Sequence, residues 1–349
     1  MRDIRTVNLF RVIVCALAAG VVVFATDAFA DCKILNLGEL PVKVEDGRLL
    51  IDGTIDGHPI RMVVDTGAPD NMIYRDAARR LGLQLTELRH VEMYGVGGQM
   101  HIQTTRIQTL TLGSLVSRNE VMFAGGDHQD SDPRVVGLIG RRFLAQADLE
   151  FDIAHGALRF LKPVGCTDPQ MAYWATSAYS QADLDAPTDS ESSISGRVKL
   201  NGVPILATFE TGSSFSFVTQ AAAESAGVRP GGEGVTPVEQ VVGLGPRPIP
   251  AWIATFKSFS IGDETIGNAK LRMSDLFVYS KVKSLGSNVP YEVGSESKML
   301  IGLDFFKAHR VLISQSRHKM YFTYSGGRIF DTRAEGDAGD APVATPPAR

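Results

Sequence analysis

Residues Met62-Val63-Val64-Asp65-Thr66-Gly67-Ala68 place an acid directly after an apolar strand and immediately before a glycine turn. A carboxylate at the end of a buried strand needs hydrogen-bond donors, which Thr66 and the amides of Gly67 and Ala68 can supply. Taken alone, the pattern is equally typical of an Asx-type turn, because Asp-x-Gly is common in loops. One copy of the motif therefore leaves a structural and a chemical interpretation open.

A second copy of this stretch favours the chemical interpretation. Residues 53–74, GTIDGHPIRMVVDTGAPDNMIY, are echoed by residues 198–218, VKLNGVPILATFETGSSFSFV. Two homologous copies of strand, acid, threonine and glycine indicate a pseudo-twofold axis that can bring two acids face to face. The copies align at a constant offset of 145, which pairs Asp65 with Glu210, Thr66 with Thr211 and Gly67 with Gly212.

The repeat continues well beyond the motif. Between the landmarks most segments are short and alternate apolar with polar positions, which predicts strands, while helical periodicity is confined to short stretches. The matched landmarks are short helical stretches (75–82 and 220–227), glycine-rich hairpins (94–98 and 242–245), apolar-apolar-glycine segments (138–140 and 300–302) and closing strands (149–160 and 311–322).

In these residues the sequence resembles retropepsin-like aspartic proteases, specifically the bacterial, exported and internally duplicated kind related to the gag-type families. The resemblance rests on Asp65 to Ala68, the glycine-rich flap and the segment 138–140, which occur in the same order in both copies, with Glu210 in the place of the acid in the second. It implies a mainly β fold of two homologous retropepsin-like (acid protease) β-barrel lobes related by a pseudo-twofold axis. The active site would lie between the lobes, and flaps would close over an extended polypeptide substrate.

The resemblance also implies a role for each matched residue. Two carboxylates about 3 Å apart share one proton, so that one acid activates a water molecule while the other donates a proton. This chemistry needs no metal and no organic cofactor. The implied roles are a catalytic pair (Asp65, Glu210), supporting residues (Thr66, Gly67, Thr211, Gly212) and flap or substrate-binding residues (Tyr94, Gly95, Gly97, Gly98, Gly243, Gly245).

Glu210 departs from the family pattern, which has Asp at both sites. The extra methylene moves the carboxylate by more than about 1 Å unless the side chain folds back, whereas catalytic groups tolerate roughly 0.5 Å. Three interpretations follow: an adapted Asp-Glu dyad, a protease-derived peptide-binding protein with little or no activity, and a homodimer that pairs Asp65 with its symmetry mate. We favour the dyad, and hence an aspartic endopeptidase that is a monomer with pseudo-dimeric lobes.

Composition and other motifs exclude competing functions. The net charge of −4 provides no basic excess for a nucleic acid partner. The seven histidines lack metal-ligand spacing, and no G-x-S-x-G elbow is present. We assign the remaining acids near the motifs, Asp70, Asp148 and Asp304, to turns or to surface-facing partners, and Arg142 to a structural charge pair.

The N-terminus is typical of an export signal. Three arginines precede an apolar run of about 15 residues that ends at Ala28-Phe29-Ala30, a cleavage-site pattern, and the run is too short for a stable membrane span. Of the three cysteines, Cys32 and Cys166 lie beyond it, and a pair in an oxidising compartment is typically bridged. We therefore predict a periplasmic or secreted protein with a Cys32–Cys166 disulfide, divided into a signal peptide (1–30), a first retropepsin-like domain (31–165), a linker (166–192), a second retropepsin-like domain (193–330) and a disordered tail (331–349).

Overall fold

The computed structural model describes residues 31–88, 93–127, 131–187, 193–276, 278, 281–283, 290–292 and 298–330. The predicted signal peptide and the predicted tail lie outside these residues. No helix within the described ranges is long and apolar enough to cross a membrane.

The first lobe is built mainly from strands, as predicted. A short 3-10 helix, Ile153–His155, joins its last two strands. Its elements are β1 (Lys33–Glu45), β2 (Arg48–Ile55), β3 (His58–Val64), β4 (Met72–Ile73), α1 (Arg75–Arg80), β5 (Thr86–Glu87), β6 (Met93–Gly95), β7 (Gly98–Met100), β8 (Gln103–Leu112), β9 (Leu115–Ala124), β10 (Val135–Ile139), α2 (Arg141–Leu144), β11 (Asp148–Asp152) and β12 (Ala157–Val164).

The second lobe repeats this order after a connection that contains two further elements. The connection forms α3 (Asp168–Met171) and β13 (Ser180–Asp183). The second lobe comprises β14 (Ser195–Leu200), β15 (Val203–Phe209), β16 (Phe217–Val218), α4 (Gln220–Ser225), β17 (Val235–Val241), β18 (Ile249–Ile261), β19 (Glu264–Met273), β20 (Lys281–Lys283), β21 (Pro290–Glu292), β22 (Met299–Ile301), α5 (Leu303–Ala308), β23 (His309–Ser314) and β24 (Lys319–Tyr324).

Strand pairing follows the same scheme in both lobes, which therefore form two related barrels. The strand before the first acid, β3, runs parallel to β10, and its counterpart β15 runs parallel to β22. A two-residue strand then inserts beside each pair: β4 between β10 and β9, and β16 between β22 and β19. Flanked on both sides, β3 is buried from residue 60 to residue 64 and β10 throughout, which explains the apolar runs at 62–64 and 135–139.

The closing strands of the two lobes join in one sheet. Strand β11 pairs antiparallel with β23, with Phe151 opposite Val311, and the order β13-β24-β23-β11-β12-β1 spans both lobes. The rings of Phe151 and Phe306 pack edge to face across this junction, 5.1 Å apart. Most of the buried apolar residues consequently form one core cluster that is continuous between the lobes.

The segment predicted as a linker is partly built into this sheet. Strand β13 pairs antiparallel with β24, with Ser180 opposite Phe322. Before it, the Asp168 carboxylate accepts hydrogen bonds from Lys319, Tyr321 and Arg317. The Ser, Asp and Ala content of this segment is typical of a linker. Its strand is not apparent from the sequence, because four residues are too few to show a clear alternation of apolar and polar positions.

Cys32 and Cys166 form a disulfide. The bridge ties the start of β1 to the residue just beyond β12, next to the pair in which Lys33 lies opposite Val164. It encloses 134 residues of sequence and so fastens the two ends of the first lobe together.

Candidate active site

Both acids of the repeated motif stand at the end of a buried strand. The Asp65 amide donates to the Ile139 carbonyl on β10 (3.0 Å), and the Glu210 amide donates to the Ile301 carbonyl on β22 (2.8 Å). The neighbouring parallel strand thus fixes where each acid leaves the sheet. We call residues 65–68 loop 1 and residues 210–213 loop 2.

The two threonines lock loop 1 to loop 2. The Thr66 amide donates to Thr211 Oγ1 (3.2 Å), and the Thr211 amide donates to Thr66 Oγ1 (3.0 Å). Thr66 Oγ1 in turn donates to the Phe209 carbonyl, and Thr211 Oγ1 donates to the Val64 carbonyl, both at 2.8 Å. Because both side chains are buried, water does not compete for these four bonds, and they hold the loops in one relative position.

The glycine of each loop makes room for the acid of the other loop. A Cβ atom added to Gly67 would lie 2.3 Å from Glu210 Cδ, and one added to Gly212 would lie 2.2 Å from Asp65 Cγ. Such distances are sterically forbidden, so a side chain at either position would displace the opposing acid. Each carboxyl group therefore points across the pseudo-twofold axis and packs against the main chain of the opposite loop.

The apolar-apolar-glycine segment supports each loop from below. A Cβ atom on Gly140 would lie 2.3 Å from the Asp70 carbonyl oxygen, and one on Gly302 would lie 2.3 Å from that of Phe215. The residues that follow, Arg141 and Leu303, donate their amides back to loop carbonyls at 2.9 and 2.8 Å. The glycines of this repeated segment are thus needed because a main chain passes too close for any side chain.

Asp65 lies among hydrogen-bond donors and positive charge. Its Oδ1 accepts from the amides of Gly67 (2.9 Å) and Ala68 (3.1 Å). Burial raises the pKa of Asp65, while these amides and the guanidinium groups of Arg48 and Arg141 act in the opposite direction. Donors and nearby cations stabilise the ionised form of a carboxyl group.

Glu210 occupies a different environment, although the motif is the same. Burial raises its pKa to about 8, with a further contribution from the charge of Asp65 and a smaller opposing effect of Arg141. The Ser213 amide, the counterpart of the Ala68 amide, donates to the main-chain carbonyl of Glu210 (3.2 Å). The amides of loop 1 thus favour the ionised form of Asp65, whereas burial favours the protonated form of Glu210.

The predicted flaps meet at their tips. Flap 1 is the hairpin of β6 and β7, with Tyr94 and Gly95 on one strand and Gly98 at the start of the other; flap 2 is the loop 242–248 between β17 and β18. The Gly245 amide donates to the Val96 carbonyl (2.8 Å), and the Arg247 amide donates to that of Gly97 (3.2 Å).

Glycines permit this close approach of the flaps. A Cβ atom on Gly245 would lie 2.3 Å from the Gly97 carbonyl carbon, and one on Gly243 would lie 2.4 Å from Val96 Cβ. Gly97 also has a positive φ of 95°, a conformation that glycine adopts without strain. All five flap glycines predicted from the sequence thus lie in or beside the contact between the flaps.

Apolar side chains near the flap tips were not identified from the sequence. Val96 and Phe215, which lies just beyond loop 2, pack against the same buried cluster of the second lobe. Leu244 of flap 2 packs beside Gly95 and Gly126 of the first lobe. Each flap tip therefore contacts the opposite lobe. The only sequence signal for Leu244 is its position as a large apolar residue between two loop glycines.

The other acids near the motifs have structural contacts. Arg142 pairs with Asp70 at 3.5 Å, in keeping with the charge pair expected for it. The surface-facing position expected for Asp148 and Asp304 is wrong, because both are nearly fully buried. Ser314 donates to Asp148 and Ser216 to Asp304, both at 2.6 Å, which compensates for their loss of hydration.

In the part of the chain that the structure describes, no group of three or more His, Cys, Asp or Glu side chains is arranged to bind a metal ion.

Comparison with known proteins agrees with this geometry. The family model described as aspartyl protease matches residues 51–143 and 196–305, one segment in each lobe and together more than half of the chain. No curated protein matches the sequence.

Two of the solved structures that match this chain have low sequence identity to it. The crystal structure of aspartic proteinase from Irpex lacteus is 10% identical with a TM-score of 0.43, and the match covers 84% of this chain and 97% of that one. Basic 7S globulin from soybean is 11% identical with a TM-score of 0.40, covering 83% of this chain and 95% of that one.

Fold and site together define a two-lobed acid-protease architecture in which duplicated loops present a pair of acids. Within that class, the matched residues place the chain in one family: it belongs to the aspartyl proteases.

Proposed function

We propose that this protein is an aspartic-type endopeptidase that cleaves peptide bonds with Asp65, Glu210 and an activated water molecule. The observation that carries the proposal is the opposition of the two acids on loops locked by Thr66 and Thr211. Membership of the aspartyl protease family supports the same class of reaction.

The different environments of the two acids assign their roles. Asp65, ionised and held by two amides, takes a proton from the water, whose oxygen then attacks the carbonyl carbon of the peptide bond. Glu210, whose pKa is raised to about 8, donates its proton to the carbonyl oxygen and so forms a neutral diol. Return of a diol proton to Glu210 and transfer of the proton on Asp65 to the nitrogen then break the C–N bond and restore the starting state.

The flaps supply the remaining requirement of the mechanism, a site from which bulk water is excluded. Their tip-to-tip contact must open to admit an extended chain and can close again over it. The flap main chain and the apolar side chains around Phe215 would then contact the substrate.

The geometry favours a single chain over a homodimer as the unit that carries the site. Loop 2 of the same chain already packs against Asp65, with Gly212 directly beneath its carboxyl group. A second copy of Asp65 could approach only if the buried bonds between Thr66 and Thr211 were broken.

We also infer that the protein works outside the reducing cytoplasm, in the periplasm or secreted. The disulfide between Cys32 and Cys166 and the export signal predicted for residues 1–30 both support this location.

The decisive experiment measures cleavage of an unfolded polypeptide by the purified, disulfide-bonded protein from pH 4 to 9. We expect Asp65→Asn and Glu210→Gln each to lower kcat/KM by about 10³-fold, because each removes one proton-transfer group. Glu224→Gln is the matched control, since Glu224 is exposed on α4. Wild-type cleavage should decline above about pH 8 as Glu210 loses its proton.

Two results would contradict the proposal. Undiminished cleavage by Asp65→Asn would exclude the acid pair as the catalyst. Binding of the polypeptide by the wild-type protein without any cleavage would identify a peptide-binding protein instead.

A further inference from the structure

Two arginines contact the main chain of the two catalytic loops. Arg141, the first residue of α2, places Nη1 3.5 Å from the Gly67 carbonyl oxygen in loop 1. Arg48, the first residue of β2, reaches across the lobe boundary and places Nη1 3.3 Å from the Gly212 carbonyl oxygen in loop 2. One guanidinium group is therefore directed at the glycine carbonyl of each loop.

Both arginines come from the first lobe and have neutral counterparts in the second. In the repeat, Arg141 corresponds to Leu303, and Arg48 corresponds to Ser193 at the offset of 145. Leu303 donates its amide to loop 2 just as Arg141 donates its own to loop 1. Because the same backbone arrangement forms with leucine, the fold of this segment does not depend on the guanidinium group.

The burial of Arg141 strengthens its electrostatic effect. Its side chain is only 8% exposed, whereas Arg48 is half-buried. Charges interact more strongly where water is excluded. Arg48 and Arg141 both lower the pKa of Asp65, but only Arg141 acts noticeably on Glu210, so the combined field stabilises a negative charge on Asp65 more than on Glu210.

We propose that Arg141 and Arg48 are positioning residues that hold the dyad in one polarity, with the charge on Asp65 and the proton on Glu210. Each guanidinium group fixes one loop glycine, and Arg48, which acts on Asp65 but not noticeably on Glu210, places additional positive charge on the Asp65 side of the site. The inference rests on the proposed function, because it assigns a role within that reaction.

Other charged groups near the loops are held elsewhere. Asp304 lies behind loop 2, where Ser216 and the Phe305 amide donate to it. Asp70 is engaged by the exposed Arg142. Since burial raises the pKa of Asp304 to about 7, its titration falls within the range of the assay, and an Asp304→Asn background serves to remove it.

The test compares the pH profile of kcat/KM for Arg141→Leu, Arg141→Lys and Arg142→Leu with that of the wild type. Arg141→Leu introduces the residue found at the matching position of the second lobe and removes a positive charge. Because that charge lowers the pKa of both acids, the acidic limb of the profile (Asp65) and the basic limb (Glu210) should both move to higher pH. For each protein, kcat/KM at pH 5 is divided by kcat/KM at its own optimum. We expect this ratio to be about tenfold lower for Arg141→Leu than for the wild type, because a shift of the acidic limb by one pH unit changes the rate about tenfold. Arg141→Lys should restore the position of the limbs, and Arg142→Leu should leave the profile unchanged.

A uniform loss of activity in Arg141→Leu, with both limbs in place, would overturn the proposal and leave Arg141 a merely structural role. If Arg141→Leu does not fold, Arg48→Ser provides the second variant. It should move mainly the acidic limb, which reports on Asp65, and an unmoved acidic limb would count against the proposal.

Titration of the carboxyl carbons by NMR separates this inference from the proposed function. If the wild-type protein does not cleave polypeptides, the proposed function fails, yet the titration still shows whether Arg141→Leu raises the pKa of Asp65. A higher value upholds the electrostatic role of Arg141, and an unchanged value rejects it.

Discussion

At the two loop acids, one methylene separates two chemical environments. Both carboxyl groups lie against the glycine of the opposite loop, but only Asp65 also accepts hydrogen bonds from the amides of its own loop. The longer Glu210 side chain leaves the amide donors of its own loop. Glutamate at this position is consequently compatible with a proton-donor role, which asks for a carboxyl group with few donors around it.

Another buried acid, Asp304, is expected to affect stability rather than catalysis. Burial raises its pKa to about 7 from an unfolded value of 3.8. For a raised pKa, the stabilising contribution is fully present below the unfolded value and is lost as pH rises through the folded value. Between pH 4 and 7, Asp304 should therefore lower the free energy of unfolding, by on the order of 3 kcal/mol.

Urea denaturation of Asp304→Asn at several pH values checks this prediction. The variant should lose less stability than the wild type as the pH rises from 4 to 7, because asparagine has no proton to release. Asp70→Asn is the control, since Asp70 is more exposed and paired with Arg142. Parallel pH dependences for the wild type and Asp304→Asn would contradict the assignment.

Sequence alone predicts the matched residues of this site but not the unmatched ones. Asp65, Thr66 and their partners stand out because the motif occurs twice. Arg48 shows no such signal, because its contact with Gly212 joins residues 164 positions apart that only the docking of the lobes brings together. Arg141 and Leu303 occupy matching positions in the repeat but have different roles. The repeat identifies equivalent positions, and it does not show what the charge at one of them does.

Among the elements, the two flaps are joined by a close contact of their tips. Gly245 lies so close to Gly97 and Gly98 that an added Cβ would force the tips apart. We expect Gly245→Ala to lower kcat/KM by about tenfold or more, because an incompletely closed flap positions the substrate poorly and admits water.

Steady-state kinetics with Gly267→Ala as the matched control checks the flap prediction. Gly267 is exposed on β19, and a Cβ atom there would meet nothing within 4 Å. Equal cleavage rates for the two variants would show that contact between the flaps does not limit the reaction.

Element boundaries were predicted well where glycine or an apolar run marks them. The helical stretches expected at 75–82 and 220–227 form α1 and α4, which end two residues earlier, at Arg80 and Ser225. The second flap is less regular than the first, because its tip, residues 242–248, is a loop outside the strands β17 and β18 that flank it. The segment 166–192 contains β13, whose pairing with β24 depends on a partner more than a hundred residues away.

At the scale of the whole molecule, the disulfide should contribute to stability without affecting catalysis. It closes a loop of 134 residues, for which the restriction of the unfolded chain predicts a gain of up to roughly 5 kcal/mol, and strain typically reduces this to about 2–4 kcal/mol. The double variant Cys32→Ser, Cys166→Ser should lose that amount of unfolding free energy and retain wild-type kcat/KM under folding conditions.

Denaturation with and without dithiothreitol measures this effect. Reductant should lower the midpoint for the wild type and leave the double variant unchanged, which controls for other actions of the reagent. Identical midpoints for the oxidised and reduced wild type would contradict a stabilising role for the bridge.

Both lobes belong to one polypeptide and share one sheet, to which the intervening β13 also pairs, and this has an evolutionary consequence. In a symmetric pair of identical subunits, one codon determines both sides of the axis, so every mutation is expressed twice. A fused gene removes that constraint, and each half can vary independently. The aspartate, glutamate and one-sided arginines of this site are a combination that identical subunits could not encode.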